Sequence, residues 1–288
     1  MLRHALGLLA LLAAAPAFAD EVKPFADTSR LVAIGGSLTE IVYALGEESR
    51  LVARDSTALY PEAALQLPDV GYMRQLSPEG VLSVNPSALL VLEGSGPPEA
   101  LDVLSRASVE QVTVPEGFSA DGILEKVRIV GAALGVPDKA AKLEAELDAQ
   151  LKAAEAATAG IAEKQRVLFI LSLEAGKVMA SGTGTAADGV IHMAGAENAV
   201  TAYQGYKTLT DEALIEAAPD VILMMTREGG AITDDELFSQ PGIALTPAGK
   251  NRKVIRIEGA YLLGFGPRTA AAVEELASDL YGNAVLNY

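Results

Sequence analysis

The chain has 288 residues, half of them hydrophobic, enough to bury one large core or two moderate ones and unlike the composition of a disordered polymer. Acidic side chains outnumber basic ones by 38 to 22, a balance that argues against nucleic acid or an anionic membrane as partner. There is no cysteine and there are two histidines, which rules out disulfides, thiolate metal sites and a cluster of histidine ligands.

Residues 1–19 read as a secretory signal peptide. Arg3 supplies the basic start, 6–15 the short apolar run, and Ala17-Phe18-Ala19 the small-residue cleavage site. The apolar run is well short of the roughly 20 residues that a membrane span needs. With no cysteine to carry a lipid at the processed end, the expectation is a periplasmic protein released free. Removing Arg3 and His4 with the leader leaves 21 basic against 38 acidic residues, and His192 as the remaining histidine. His192 lies in the helical pattern 186–194 and is read as a core or surface residue rather than a ligand.

The mature chain opens with a strand over 31–34, a Gly35-Gly36 turn and Ser37-Leu38-Thr39-Glu40, a capping-box sequence for a helix over 38–45. A short strand at 51–53 follows, then a connection through Leu59-Tyr60-Pro61 and Gly71-Tyr72-Met73-Arg74. Further on come a capped helix, a buried strand at 88–92, a Gly/Pro loop at 94–98, a helix, a strand at 112–114 and a helix over 121–134. This βαβα order predicts a parallel sheet. After the Gly135-Val136-Pro137 break, apolar residues recur every three or four positions from Leu143 to Ile161, opposite a Lys/Glu-rich face. The spacing predicts a helix over 138–165, capped by Asp138 and nearly 40 Å long at about 1.5 Å per residue, a strut between two lobes. A strand over 166–171, the loop Ser181-Gly182-Thr183-Gly184-Thr185 before a helix around Ile191, strands at 221–225 and 254–257, the stretch 262–268 and a closing helix complete the chain.

The two flanking halves repeat a pattern. Leu76-Ser77-Pro78-Glu79 leads to Pro86 and an apolar run; Leu209-Thr210-Asp211-Glu212 leads to Pro219 and another, with Glu79 and Glu212 each seven residues before the proline. Gly71-Tyr72 precedes the first copy and Gly205-Tyr206 the second. The fold class is therefore α/β, with two similar lobes, each a mostly parallel sheet flanked by helices, over 28–137 and 166–288, joined by one long helix over 138–165. Two lobes imply a cleft.

The runs GYMRQLSPEGVLSVNP, AYQGYKTLTDEALIEAAPD and YLLGFGPR resemble the periplasmic haem-binding proteins of bacterial haemin ABC importers, within the wider class of helix-linked substrate-binding proteins. The likeness covers nearly the whole mature chain. It implies no covalent chemistry, ferric haem b as transported ligand, and Tyr72 as axial ligand beside Arg74. The chemistry agrees: a free phenol ionises near pH 10, and an adjacent cation and Fe(III) both favour the phenolate. Arg74 is alternatively a partner for a haem propionate, and Tyr60 is the competing phenol. From lobe two the candidates are Arg227, for a propionate or distal contact, with Tyr206 and Lys207. The resemblance also implies that Glu79 and Glu212 dock an inner-membrane ABC permease with its ATPase; each equally suits the positive end of its helix. An outer-membrane haem receptor upstream, and a monomeric carrier, complete the expectation. A ferric siderophore or corrinoid carrier is the alternative; an exported α/β hydrolase is disfavoured, because no Gly-x-Ser-x-Gly elbow appears.

Overall fold

The computed structural model describes residues 22–226 and 232–282. The leader over 1–19 and Arg227 lie outside the described residues. Two sheets organise the chain. The first, in the order β2-β1-β3-β4, is wholly parallel and is built from β1 (Leu31–Ile34), β2 (Leu51–Arg54), β3 (Ala88–Leu92) and β4 (Glu110–Val114). α1 (Gly36–Ala44), α2 (Pro78–Leu82), α3 (Pro98–Arg106) and α4 (Ala120–Ala133) belong to this lobe. β1 and β3 are buried at every position, which is why their sequences are continuous apolar runs rather than alternations.

The predicted strut is α5 (Pro137–Thr158), 22 residues or about 33 Å, packed against α4 on one side and the last helix on the other. It is shorter than its apolar pattern suggested. Ile161 lies beyond its end, and the start differs too: Pro137 occupies the first helical position and Val136 the cap, so Asp138 sits in the first turn and makes no capping bond.

The second sheet runs β10-β9-β5-β6-β8, with the two-residue β7 (Glu197–Asn198) also on β5. β5 (Arg166–Glu174), β9 (Val221–Thr226) and β10 (Val254–Glu258) are parallel. β6 (Lys177–Ser181) and β8 (Tyr206–Leu209) add an antiparallel arm that the repeat did not announce. The helices of this lobe are α6 (Ala186–Met193), α7 (Asp211–Ala217), α8 (Asp234–Phe238), α9 (Pro241–Ala244), α10 (Pro247–Asn251), α11 (Gly259–Leu263) and α12 (Thr269–Tyr281). None of the described helices is long and apolar enough to cross a membrane.

Strand alternation sorts the second sheet between two cores. Val167, Phe169, Val221 and Leu223 face the larger cluster, which continues into the first lobe; Leu168, Ile170, Ile222 and Met224 face a smaller one with Leu214, Leu237 and Ile243. The seam between lobes is apolar at its centre. Phe118, on the connection into α4, meets Phe265 of the other lobe edge to face at 5.3 Å. Gly189 of α6 packs so closely there that a Cβ would fall 2.5 Å from the Phe118 carbonyl oxygen.

The repeat itself is structural. Ser77 caps α2 by accepting from the Gly80 N–H, and Thr210 caps α7 by accepting from the Ala213 N–H, each at 3.3 Å. The capping box read at Ser37 is not formed. α1 begins two residues earlier, with Gly35 at its cap position, and Ser37 is a buried residue of the first turn whose hydroxyl has no hydrogen-bond partner among the described residues. The work of a cap passes to distant side chains: the Gly35 N–H donates to Asp55 and the Gly36 N–H to Thr57 Oγ1.

Candidate ligand-binding site

At the carboxyl ends of parallel strands, loops lie side by side and are free of the ladder, which is where open α/β sheets present ligand contacts. In the first lobe these are the turn after β1, the long connection after β2 and the loop after β3. Asp55 ties the first two together. Wholly buried, it accepts from the N–H of Gly35, from the N–H of Thr57 and from the Thr57 hydroxyl, at 2.8 to 3.0 Å. Burial pushes its carboxyl above the usual range, against the hydrogen bonds from Thr57, Gly35 and the Met73 N–H.

The segment carrying Tyr72 is fixed on both flanks. Ser56 N–H donates to the Gly71 carbonyl and Gly71 N–H to Asp69; Gly96 N–H donates to the Met73 carbonyl and Leu76 N–H to the Gly96 carbonyl. Gly71, at φ 103°, supplies the left-handed bend, in open space where only backbone freedom matters. Met73 and Leu76 anchor in the core, while Tyr72 stands 41% exposed and Arg74 is exposed as well. The segment is a turn closed by Gln75 N–H on the Tyr72 carbonyl, so the strand alternation invoked to put Tyr72 and Arg74 on one side does not apply. Adjacency on a tight turn takes its place.

Among the described residues Arg74 makes no hydrogen bond or ion pair. Its charge acts on two groups: it helps ionise Glu116 in its own lobe and Tyr206 in the other. Arg74 therefore stands where the lobes face each other. Beneath it Glu116 is bonded to Lys126, which has no exposed surface, and its N–H donates to Glu93. Burial raises the Glu116 carboxyl and depresses the Lys126 ammonium, each opposed by the other's charge.

Tyr206 comes to this region from β8. Its phenol is pushed up by burial and lies beside the Thr185 and Ser181 hydroxyls, so the hydroxyl points inward while the side chain remains 37% exposed. A flank of its ring, rather than its oxygen, is on offer. Lys207 is the next residue of the strand, hence on the opposite face, with its ammonium 5.0 Å above the Tyr203 ring. The structure does not bring it to Tyr206. Tyr60 is 48% exposed, with the Arg268 guanidinium stacked on its ring at 4.0 Å. Arg268 is the residue that reading the sequence missed: the stretch 262–268 stood out, but nothing in it foretold a bond to Glu40 on α1. His192 is exposed on α6, its Nδ1 2.7 Å from the Asp188 carbonyl oxygen and on the side of the rod helix.

Glu79 and Glu212 occupy matching exposed positions. Each carboxyl is held below the usual range, first by its own N–H at the start of the helix and then by the capping hydroxyl of Ser77 or Thr210. Both are anions at the same place on the two lobes.

Two α/β lobes on a single rod helix define the fold of a helix-linked ligand-binding protein. Comparison with known proteins agrees. The chain belongs to the periplasmic binding protein family, whose model matches residues 31–261. The solved structure of the periplasmic heme-binding protein BhuT in complex with two hemes is 40% identical, covers 89% of this chain and 98% of its own, and superposes with a TM-score of 0.84. The uncharacterised ABC transporter substrate-binding lipoprotein YvrC of Bacillus subtilis (strain 168) is 26% identical over 88% of this chain and 81% of its own length. A vitamin B12-binding protein of Pectobacterium atrosepticum is 22% identical over 89% of this chain and 90% of its own. This chain is a periplasmic substrate-binding protein of an ABC transporter, so an ABC permease is its partner.

Proposed function

We propose that the chain carries haem, holding ferric haem b between its lobes through the Tyr72 phenolate and delivering it to an inner-membrane permease and ATPase. The observation that carries the reading is the fixed turn that puts an exposed phenol two residues from a guanidinium that has no ion pair among the described residues and acts on Tyr206 of the other lobe. An anionic oxygen beside a cation suits ferric iron, and the relatedness to BhuT favours the same cargo class. In this reading Tyr72 is the axial ligand; Arg74 stabilises the phenolate or meets a propionate, and Arg227 meets a propionate or the distal side. Tyr60 and Tyr206 wall the cleft, and Glu79 and Glu212 dock the permease. The leader over 1–19 exports the chain, lobes over 28–137 and 166–288 flank the 138–165 connection, and an outer-membrane receptor supplies the haem to a monomeric carrier.

The test is a haemin titration followed by absorption. Wild type should show a shifted Soret band and a ferric-phenolate charge-transfer band, both lost in Tyr72→Ala and kept in Tyr60→Ala. Loss in Tyr60→Ala alone would move the ligand to Tyr60. A second reading is favoured by the vitamin B12-binding relative: a corrinoid as cargo. Cyanocobalamin binding without haemin binding would replace the first reading with the second.

A further inference from the structure

We propose that Arg268 is a positioning residue of the binding cleft: by clamping Tyr60 of the first lobe to the turn before α12 of the second, it turns that ring into a fixed wall against which a flat ligand stacks. This rests on the haem reading above and assigns a role to the 262–268 stretch, which that reading left unused.

The guanidinium is committed on its edge and on its face. Nε and Nη2 donate to the two carboxylate oxygens of Glu40 on α1, at 3.0 and 2.6 Å, a bidentate bond between residues 228 apart in the chain. The Glu40 side chain is 8% exposed and the Arg268 side chain 23%, so the pair is largely shielded from water. The Arg268 Cζ lies 4.0 Å from the centroid of the Tyr60 ring and 5.3 Å from that of Tyr261. One side chain thus joins α1, the connection after β2 and α11.

The surrounding turn is shaped for this. Phe265, fully buried in the left-handed conformation at φ 48°, enters the seam against Phe118, and three residues later Arg268 turns back to Glu40. Gly266 between them lies against Ser37, where an added Cβ would be 3.4 Å from the Ser37 Cα. The turn fills the seam with Phe265 and bolts its edge with Arg268.

An alternative role, as receptor for a ligand carboxylate, is disfavoured by charge. Glu40 neutralises Arg268, and Glu258 adds a second negative field at the same guanidinium. What remains to offer is the outer face of Tyr60, 48% exposed and backed by a cation. The connection that leads to it is held at its start, where Asp55 bonds Gly35 and Thr57, and the Ala58 and Leu59 N–H groups donate to the Asp55 and Thr57 carbonyls. A ring fixed on one side and open on the other suits a large planar conjugated ligand.

The experiment uses the full mature protein and two readouts. First, hydrogen exchange without ligand: Arg268→Lys keeps the charge but loses the planar bidentate stack, and should speed amide exchange across residues 55–66 while leaving the β3 amides unchanged. Second, haemin dissociation into a scavenging globin: Arg268→Lys and Tyr60→Leu should each release haemin about tenfold faster, as loss of a shielded stacking contact implies, with no further gain in the double variant. The ferric-phenolate spectrum should survive in all three. The exchanged pair Glu40→Arg with Arg268→Glu should regain thermal stability but not slow release, because a carboxylate does not stack on the ring face. Release within twofold of wild type in Tyr60→Leu, additive effects in the double variant, or unchanged exchange over 55–66 in Arg268→Lys would overturn the proposal. If wild type binds no haemin, the carrier reading falls, and the exchange arm still decides whether Arg268 holds Tyr60.

Discussion

Replacing Lys126 by Met should cost about 3 kcal/mol of folding stability at neutral pH and loosen the cleft above it. The side chain has no exposed surface, and its ammonium bonds to Glu116, whose side chain is 19% exposed. Methionine keeps the length and most of the volume of the stem, so the cavity contribution is small. What is lost is the partner of a shielded carboxylate. Breaking a buried pair costs about 3 to 5 kcal/mol, and the lower end applies because Glu116 keeps some water. About 3 kcal/mol is a factor of about 150 in the folding equilibrium.

The pH dependence checks the cause. Burial raises the folded pKa of Glu116 above its unfolded value, against the charge and hydrogen bond of Lys126 and the charge of Arg74. A raised carboxyl contributes stability below its unfolded pKa that is lost as pH climbs through the folded value. Without Lys126 the folded pKa climbs further, so the deficit of the variant should be small near pH 4 and grow above about pH 4.5. Urea unfolding followed by circular dichroism at about pH 4 and about pH 7.5 measures it, and Glu116→Gln added to Lys126→Met should recover most of the loss. Haemin affinity should fall in the single variant, as the unpaired Glu116 competes for Arg74. A deficit below about 1 kcal/mol at the higher pH, or one equal at both, would refute the reasoning.

Glu79→Lys or Glu212→Lys should leave the haemin spectrum intact and abolish stimulation of the reconstituted transporter's ATPase, since each removes one of two matched anions; undiminished stimulation would remove docking from their role. Gly189→Ala should lower stability by about 1 to 3 kcal/mol in urea melts, because the new Cβ meets the Phe118 carbonyl oxygen at 2.5 Å and the Phe265 ring at 2.9 Å. His192→Ala should not alter the haemin spectrum, its ring being exposed and engaged with Asp188 on the rod side; a changed Soret band would make it a ligand.

What was legible in the sequence was whatever local chemistry decides. Ser77 and Thr210 were readable as caps because their partners lie three residues on, and the runs over 88–92 and 221–225 because both faces of each strand are covered. The same text misled at Ser37, three residues before Glu40, since the bonds that start α1 come from Asp55 and Thr57, and Glu40 is drawn instead to Arg268. The antiparallel arm left one overlooked signal: Ala175-Gly176, a two-residue link with both φ values positive, is the hairpin between β5 and β6. Among the candidate site residues, Tyr72 and Arg74 were proposed from a motif. The placement of Tyr206 and Lys207 on opposite faces depended on a strand that had not been recognised. Arg268 could not be found by any local rule, because its partners are 228 and 208 residues away and pattern reading ends with the segment.

The larger apolar cluster does not stop at the lobe boundary; it passes from β1 and β3 through Phe265 to β5, α6 and α12. The two halves should therefore melt as one thermodynamic unit, giving a single calorimetric peak whose van't Hoff and measured enthalpies agree. Cargo gripped at one edge of such a body protects all of it, so a dye attached far away, on the outer side of α9 for instance, would report occupancy through the midpoint of its thermal transition.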